Sequence, residues 1–200
     1  MSQRQPTVID KTLVDATAAA ITRWGLGEVT LERIAAEAGL SRATIYRRGF
    51  TRDELVEALT IEAADTYSRA MLPALARQGS ARERLRYALE ALCDTADDHL
   101  HLLAGMFMAH GEVFHQPGPE ALVIDLFAEP LERLLRDGAT DGSLRDLPPT
   151  TTATVLFNLV GWGYIHLRAA HEWKPELTRA AIINLVMDGL ASPESPEHSS

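Results

Sequence analysis

The sequence predicts an all-α protein, with a three-helix N-terminal head and a larger C-terminal helical body. Three observations support this fold class. Apolar residues recur three or four places apart along most of the chain, which is typical of amphipathic helices. Capping residues and glycines separate these runs at intervals of about one helix length. No segment alternates apolar and polar residues in the way that a half-buried strand requires.

The first two helices are delimited by capping residues and glycines. Thr7 is predicted to cap the first helix, whose apolar face continues at helical spacing to Trp24. Gly25 is expected to end it, because the residue after a helix often needs a positive φ angle. Thr30 is predicted to cap the second, short helix, and Gly39 to end it.

The next two helices begin at hydroxyl residues. Ser41 is predicted to cap a third short helix that runs to about Tyr46 or Arg47. Thr51 and Glu54 have the spacing of a capping box, which opens a long helix that continues to about residue 77.

The remainder of the chain predicts five further helices, over residues 81–97, 99–115, 119–137, 150–172 and 176–190. Pro73 and Pro130 fall inside predicted helices, and we expect a kink or break at each because proline lacks an amide donor. Loops are predicted at 117–119, 138–142 and 148–149. The predicted organisation is a flexible N-terminus (1–7), the head (8–52), the body (53–190) and a disordered tail (191–200).

Composition excludes several classes of protein. The longest apolar run, residues 155–167, has 13 residues and is too short to cross a membrane. The N-terminus lacks the apolar core of a signal peptide. The single cysteine, Cys93, cannot form an internal disulfide. We therefore predict a cytoplasmic protein with no membrane partner.

Charge is distributed unevenly along the chain. The net charge is −9, yet residues 1–60 hold eight basic and eight acidic side chains, so the remainder carries the whole excess. Residues 41–52 contain four arginines and no acid. On charge alone, a solvated surface is the simpler interpretation of this patch. Arginine guanidinium groups also suit phosphates and guanine edges.

Residues 30–49 have the pattern of a helix, a glycine-containing turn and a second helix. Ala35 and Ala38 allow two helices to cross closely, and Leu40 and Ile45 fill the wedge between them. The second helix is too short to be stable alone. Its function would therefore lie in the side chains that it presents to the major groove of DNA.

This segment resembles the N-terminal domain of the TetR family of bacterial transcriptional regulators, over roughly residues 8–60. The resemblance rests on the core S-x-A-T-I-Y, the basic residues that follow it and the helix start T-R-D-E-L. The sequence departs from the family at Gly49, where an aromatic residue is usual, and Phe50 follows one place later. The resemblance implies base contacts by Arg42, Ala43, Thr44 and Arg47, and phosphate contacts by Thr30, Ser41, Tyr46, Arg48 and Arg52.

The resemblance also implies a body that dimerises, and the sequence supports this independently. Residues 153–167 are apolar almost all round their predicted helix, and residues 180–190 nearly so. A helix that is apolar on every side must be covered on every side. The predicted dimer residues are Val155, Leu159, Gly163, Leu167, Ile182, Leu185 and Val186. The alternative is a buried hairpin in the core of a single subunit.

A pocket for a mainly apolar small-molecule effector is predicted among the middle helices. Its candidate lining residues are Met71, Leu89, Cys93, Leu103, Met106, Phe107, Phe127 and Phe157. Membership of the ordinary core is the alternative for each of them. The histidines and acids of residues 97–115 lack the repeated spacing of a metal site, so we predict no metal and no cofactor. Motifs typical of enzymes are missing, and we predict that the protein is not an enzyme.

The function predicted from the sequence is a ligand-responsive repressor that binds palindromic operator DNA as a homodimer. Two alternatives remain open. One is a helical small-molecule-binding protein with a vestigial DNA head, which Gly49 suggests. The other is an architectural DNA-binding protein without an inducer.

Overall fold

A computed structural model describes residues 9–109 and 119–190, and the regular elements of these residues are all helical. The predictions for Thr7, for the flexible residues 1–7 and for the tail 191–200 lie outside this range, as does the side chain of Phe107. The helices are α1 (Lys11–Trp24), α2 (Leu31–Glu37), α3 (Arg42–Arg48), α4 (Arg52–Ala76), α5 (Ala81–Asp98), α6 (Leu100–Ala109), α7 (Pro119–Asp141), α8 (Pro149–Leu156), a π-helical segment (Phe157–Trp162), α9 (Gly163–Ala169) and α10 (Pro175–Leu190).

The described chain forms two compact units. The first consists of residues 9–66 and 99–109, which are α1 to α3, the beginning of α4 and α6. The second consists of residues 67–98 and 119–190. The predicted boundary between the head and the body, at residues 52 and 53, stays a prediction.

The first unit is organised around one apolar core. Ile34 of α2, Ile45 of α3 and Leu55 of α4 are fully buried there, together with residues of α1. Leu102 of α6 lies in the same core. Burying side chains of this size stabilises a fold by about 1.5–3 kcal/mol each, which is more than the short helices α2 and α3 could supply from their own hydrogen bonds.

The predicted helix caps of the head are mostly confirmed. Thr30 and Ser41 cap α2 and α3 through their side-chain oxygens. Helix α1 instead begins at Lys11, because the Asp10 carboxylate accepts a hydrogen bond from the amide of Leu13 at 3.0 Å. An aspartate is a strong N-cap when its carboxylate accepts from an amide that has no partner within the helix, so Asp10 fixes the start of this helix.

The predicted capping box is confirmed at the start of α4. The Thr51 hydroxyl accepts from the amide of Glu54 at 3.2 Å, and the Glu54 carboxylate accepts from the amide of Thr51 at 2.8 Å. Two amide donors that would otherwise lack a partner are satisfied reciprocally.

Neither internal proline ends its helix, so of the kink or break predicted at each position, the break does not occur. Helix α4 continues past Pro73 to Ala76, and α7 continues past Pro130 to Asp141. A proline removes one backbone hydrogen bond. Buried neighbours, such as Met71 and Ala74 around Pro73, hold the helix against the unit's core despite that loss.

The predicted loop at 138–142 is also wrong, because α7 extends to Asp141. Leu144 folds back against Gly138 so closely that an added Cβ would lie 2.4 Å from the Leu144 Cδ1 atom. Gly138 is therefore a close-packing position within a helix, and the turn falls at Gly142, whose φ is +74°.

The predicted helix at 150–172 is divided by the π-helical segment Phe157–Trp162 and ends at Ala169. The side-chain amide of Asn158 donates to the carbonyl of Thr154 at 2.8 Å, where the hydrogen-bond spacing changes. Amphipathic periodicity does not reveal such an insertion, since the flanking turns keep their apolar character.

A partly buried polar link joins α5 to α9 in the second unit. The hydroxyl of Tyr164, a fully buried residue, donates to the Asp97 carboxylate. The Arg168 Nε atom donates to the other oxygen of the same carboxylate at 2.7 Å. Burial, followed by the hydrogen bond to Asp97, raises the pKa of Tyr164 above its usual range. The phenol therefore stays protonated and remains a donor.

Candidate nucleic-acid interface

Helix α3 is a short rod held at both ends by its own capping residues. The Ser41 hydroxyl accepts from the amide of Thr44 at 3.1 Å at the N-terminus. At the C-terminus Gly49 adopts a left-handed conformation, with φ of +77°, and its amide donates to the carbonyl of Tyr46 at 3.0 Å. Ile45 is the buried residue of this helix, so most of the other side chains face solvent.

The departure at Gly49 has a structural explanation. A left-handed residue at this position favours glycine, which has no Cβ atom to strain the backbone. Phe50, one place later, is buried in the core of the first unit. The aromatic anchor is thus still present, and α3 keeps its support.

The residues predicted to contact bases lie together on α3. Arg42, Ala43 and Arg47 are exposed, and Thr44 is half-buried, with its hydroxyl 2.8 Å from that of Ser41. Three of these side chains are therefore free to face a groove, and Ala43 lets the helix backbone approach closely.

The residues predicted to contact phosphates are also near the surface. Thr30, Ser41 and Arg48 are exposed, as is Tyr46. The Thr30 and Ser41 hydroxyls already accept the capping hydrogen bonds of α2 and α3, but a hydroxyl can still donate its own proton.

The arginines of the basic patch differ in their partners. The Arg42 Nη2 atom lies 3.4 Å from Glu32, and the Arg48 Nη1 atom lies 3.4 Å from Asp10. Arg47 makes no ion pair or hydrogen bond with any described residue. Arg47 can therefore bind a new partner without first breaking an ion pair.

Arg52 has a bracing contact that sequence reasoning missed. Its Nε atom donates to the carbonyl of Val29 at 3.2 Å, and its Nη2 atom donates to that of Leu26 at 2.6 Å. The Arg52 Nη1 atom pairs with the Asp53 carboxylate at 2.7 Å. The guanidinium thus ties the turn between α1 and α2 to the start of α4. No short stretch of sequence indicates a contact between residues more than twenty positions apart.

Glu32 was also missed as a site residue. Its Oε1 atom accepts a hydrogen bond from the Tyr46 hydroxyl at 2.6 Å and lies 3.4 Å from Arg42 Nη2. The hydrogen bond from Tyr46 holds the pKa of the Glu32 carboxyl below its usual value. Glu32 is therefore an anion that bridges α2 to the exposed face of α3.

The sequence model of bacterial regulatory proteins, tetR family, matches residues 13–59, which contain α2, α3 and the beginning of α4. Through these residues, the N-terminal domain is a member of the tetR family. No curated protein matches this chain in sequence. The helix-turn-helix of this domain is accordingly of the kind with which the regulatory proteins of that family bind DNA.

Solved structures of regulators share the fold of this chain. The TetR family transcriptional regulator PfmR from Thermus thermophilus is 21% identical, with a TM-score of 0.70, and the match covers 90% of this chain and 98% of that one. A TetR/AcrR-family regulator from Thermobifida fusca is 19% identical, with a TM-score of 0.65 and coverage of 88% and 95%. The ketosteroid transcriptional regulator KstR2 of Mycobacterium tuberculosis is 16% identical, with a TM-score of 0.68 and coverage of 93% and 97%.

The residues predicted to line an effector pocket are divided between the two units. Met71, Leu89 and Cys93 are buried in the second unit, whereas Leu103 and Met106 belong to the first. Burial raises the pKa of the Cys93 thiol to about 12, which keeps it protonated. The structure does not bring the whole predicted set together within either unit.

Two of the predicted pocket residues do meet. The rings of Phe127 and Phe157 stack at 5.7 Å with nearly parallel planes, and both side chains are half-buried. Tyr67 packs its edge against both rings, at 5.3 and 6.0 Å, and its hydroxyl donates to the carbonyl of Phe127 at 2.7 Å. Tyr67 was not predicted from sequence. Its nearest partner lies sixty residues away along the chain.

The predicted dimer residues show a range of burial. Val155, Leu159 and Leu185 are 55%, 54% and 77% exposed, which is unusual for large aliphatic side chains. A Cβ atom added at Gly163 would meet nothing within 4 Å. Leu167 and Ile182 are half-buried. Val186 is buried within the single chain, and its place in a dimer interface stays a prediction.

No described helix is long and apolar enough to span a bilayer. Among the described residues there is also no group of three histidine, cysteine or acidic side chains arranged to hold a metal ion.

Proposed function

We propose that this tetR-family regulator is a cytoplasmic repressor that binds palindromic operator DNA as a homodimer and is released by a mainly apolar small molecule. The observation that carries the proposal is the exposed face of α3, in a helix-turn-helix whose core is complete. The alternative of a vestigial head depended on Gly49, and it loses that support because Gly49 caps α3 and Phe50 is buried.

Arg47 and Arg42 are the proposed base-reading side chains. An arginine can donate two hydrogen bonds to the major-groove edge of guanine, and such a pair discriminates by about 1–3 kcal/mol. Arg47 is exposed and has no partner among the described residues, whereas Arg42 must exchange Glu32 for a base. Tyr46 and Arg48 are the proposed phosphate contacts, which position the helix without reading sequence.

Selection of bound duplexes from a random pool tests the DNA-binding proposal. We expect an enriched palindrome whose half-sites lie about one helical turn apart, roughly 34–36 Å. Arg47→Ala should change the preferred sequence, whereas Arg82→Ala removes the same charge from an exposed site of the second unit and should not. A pool without an enriched motif at moderate salt would refute sequence-specific binding.

A second copy of this chain is the proposed partner of Val155, Leu159 and Leu185, the exposed aliphatic side chains of the predicted dimer set. Three aliphatic side chains that are each more than half exposed favour burial against another apolar surface. Isologous contact of the same face on two copies is the usual way that homodimers cover such residues. It would also place two recognition helices in the symmetric arrangement that a palindrome requires.

Sedimentation of Leu185→Glu tests this interface. The variant should be monomeric and folded, and its DNA affinity should fall, because a buried carboxylate without a partner strongly opposes association. Leu72→Glu is the matched control, since Leu72 is 62% exposed on α4 and lies outside the predicted interface. A dimeric Leu185→Glu variant with unchanged DNA affinity would place the interface elsewhere.

The stacked rings of Phe127 and Phe157 are the proposed docking point for the effector. Aromatic faces bind flat apolar molecules well, and Tyr67 supplies one fixed edge. One protein of the same fold is a ketosteroid regulator, so steroids are a reasonable first class of probe. By thermodynamic linkage, the effector and the operator DNA must each lower the protein's affinity for the other by the same factor. A steroid that binds tightly but is indifferent to operator would contradict release by that ligand.

A further inference from the structure

Three side chains form a cluster between α2 and the exposed face of α3. One oxygen of Glu32, Oε1, accepts from the Tyr46 hydroxyl at 2.6 Å and lies 3.4 Å from Arg42 Nη2. The guanidinium carbon of Arg42 lies 5.5 Å from the centroid of the Tyr46 ring. Both partners of Glu32 are therefore residues of the proposed DNA contact, and a single carboxylate oxygen holds them together.

The chemistry of Tyr46 makes Glu32 and a phosphate competitors. A tyrosine hydroxyl has one proton to donate. The oxygens of a phosphodiester accept hydrogen bonds and cannot donate them. Tyr46 therefore cannot donate to Glu32 and to a DNA phosphate at the same time. Because the hydrogen bond from Tyr46 lowers the pKa of Glu32, the carboxylate is ionised at neutral pH and also repels an approaching phosphate.

We propose that Glu32 sets the affinity and the sequence preference of α3 by competing with DNA for Tyr46 and Arg42. The inference rests on the proposed function, in which α3 enters the major groove. DNA of arbitrary sequence offers phosphates to Tyr46 and Arg42 in place of the Glu32 carboxylate, and exchanging one anion for the other makes little difference to the free energy of binding. A matching sequence adds hydrogen bonds from a base edge to Arg42. Glu32 therefore suppresses non-specific binding more than specific binding.

Packing makes this role separable from folding. Helices α2 and α3 are held by the buried side chains of Ile34, Ala35 and Ile45. The Arg42 side chain is 74% exposed and that of Glu32 is 41% exposed, so their ion pair is a weak contributor to stability. Changing Glu32 should consequently alter DNA binding without unfolding the head.

The test compares Glu32→Gln with Glu37→Gln in the full-length protein. Glu37 is also on α2, pairs with Arg23 at 3.2 Å, and loses the same charge when changed to glutamine. Affinity is measured by fluorescence anisotropy at several salt concentrations. One probe is a mixed-sequence duplex of about three helical turns, and the other is the duplex that the wild type selects from a random pool.

The competition predicts a specific pattern. Glu32→Gln should bind the mixed-sequence duplex about three- to fivefold more tightly than Glu37→Gln, the range expected for exposed charge pairs. The slope of log affinity against log salt should steepen by about one, because Arg42 becomes free for a phosphate. Affinity for the selected duplex should rise less, so the ratio of specific to non-specific affinity falls. Thermal unfolding should be the same for both variants.

A double-mutant cycle with Tyr46→Phe tests whether the effect passes through the hydroxyl. The gain from Glu32→Gln should shrink when Tyr46 has already lost its proton donor, so the two changes should not be additive. Additive changes, or Glu32→Gln binding no more tightly than Glu37→Gln, would overturn the inference while leaving DNA binding intact. A wild-type protein that binds neither duplex would overturn the proposed function itself.

Discussion

Gly105 of α6 is a position where the structure leaves no room for a side chain. A Cβ atom added there would lie 2.5 Å from the Leu26 Cβ atom, in the turn between α1 and α2 of the same unit. Carbon atoms pack at about 3.5–4.0 Å, so Gly105→Ala requires a displacement of about 1 Å. The Leu26 Cβ atom is fixed to its backbone, and a side-chain rotation cannot relieve the contact. The turn or α6 must move.

The magnitude follows from two opposing effects. Overpacking a close contact destabilises a protein by about 1–3 kcal/mol. Alanine improves helix propensity over glycine by up to about 1 kcal/mol. We therefore expect Gly105→Ala to lower the free energy of unfolding by about 1–2 kcal/mol. Gly189→Ala is the matched control, since Gly189 is in helix α10 and its added Cβ would meet nothing within 4 Å.

Urea unfolding at a fixed protein concentration measures the difference. Gly189→Ala should be as stable as the wild type or slightly more stable, whereas Gly105→Ala should unfold at lower urea. Adding Leu26→Gly to Gly105→Ala removes the clashing Cβ atom, so the double variant should show a favourable coupling. If Gly105→Ala proved at least as stable as Gly189→Ala, the close contact between α6 and this turn would be refuted.

Three further predictions concern stability. Arg52→Ala should lower the free energy of unfolding by about 1–2 kcal/mol, because it removes two hydrogen bonds to backbone carbonyls. Arg47→Ala is the control and should leave thermal unfolding unchanged. Equal effects of the two changes would contradict the bracing role of Arg52. The wild type should lose stability more steeply than Cys93→Ala as pH rises from 9 towards 12, because the unfolded chain releases the thiol proton first. Parallel pH curves would contradict burial of that thiol. Tyr164→Phe should lower the urea midpoint by an amount equivalent to about 1–3 kcal/mol, because the partly buried Asp97 carboxylate loses a donor. An unchanged midpoint would show that this donor is replaceable.

Local signals predicted the head well because its ends are set by local chemistry. Thr30, Ser41 and the Thr51–Glu54 box each satisfy amides within three residues, so short windows of sequence contain the whole interaction. The cap of α1 at Asp10 was not predicted, because threonine and aspartate are both acceptable caps and the sequence offers both.

Contacts between distant segments were beyond a reading of the sequence. The Arg52 brace, the approach of Gly105 to Leu26 and the packing of Tyr67 on Phe127 each join residues more than twenty positions apart. The π-helical segment at Phe157–Trp162 was missed for a different reason, since it retains the apolar pattern of a helix. Periodicity reports which face is buried, but it does not report which neighbour covers it.

The charge of the head shows how structure changes the meaning of a sequence pattern. Residues 41–52 carry four arginines and no acid, which suggests a strongly positive patch. In the structure, Arg42, Arg48 and Arg52 each pair with an acid of the head, namely Glu32, Asp10 and Asp53. Arg47 alone of these four has no partner among the described residues. Paired charges produce a weak field beyond a Debye length of about 8–10 Å. The long-range attraction of DNA by this patch is therefore expected to be weak, and the proposed discrimination rests on short-range exchange of carboxylates for phosphates and base edges on α3.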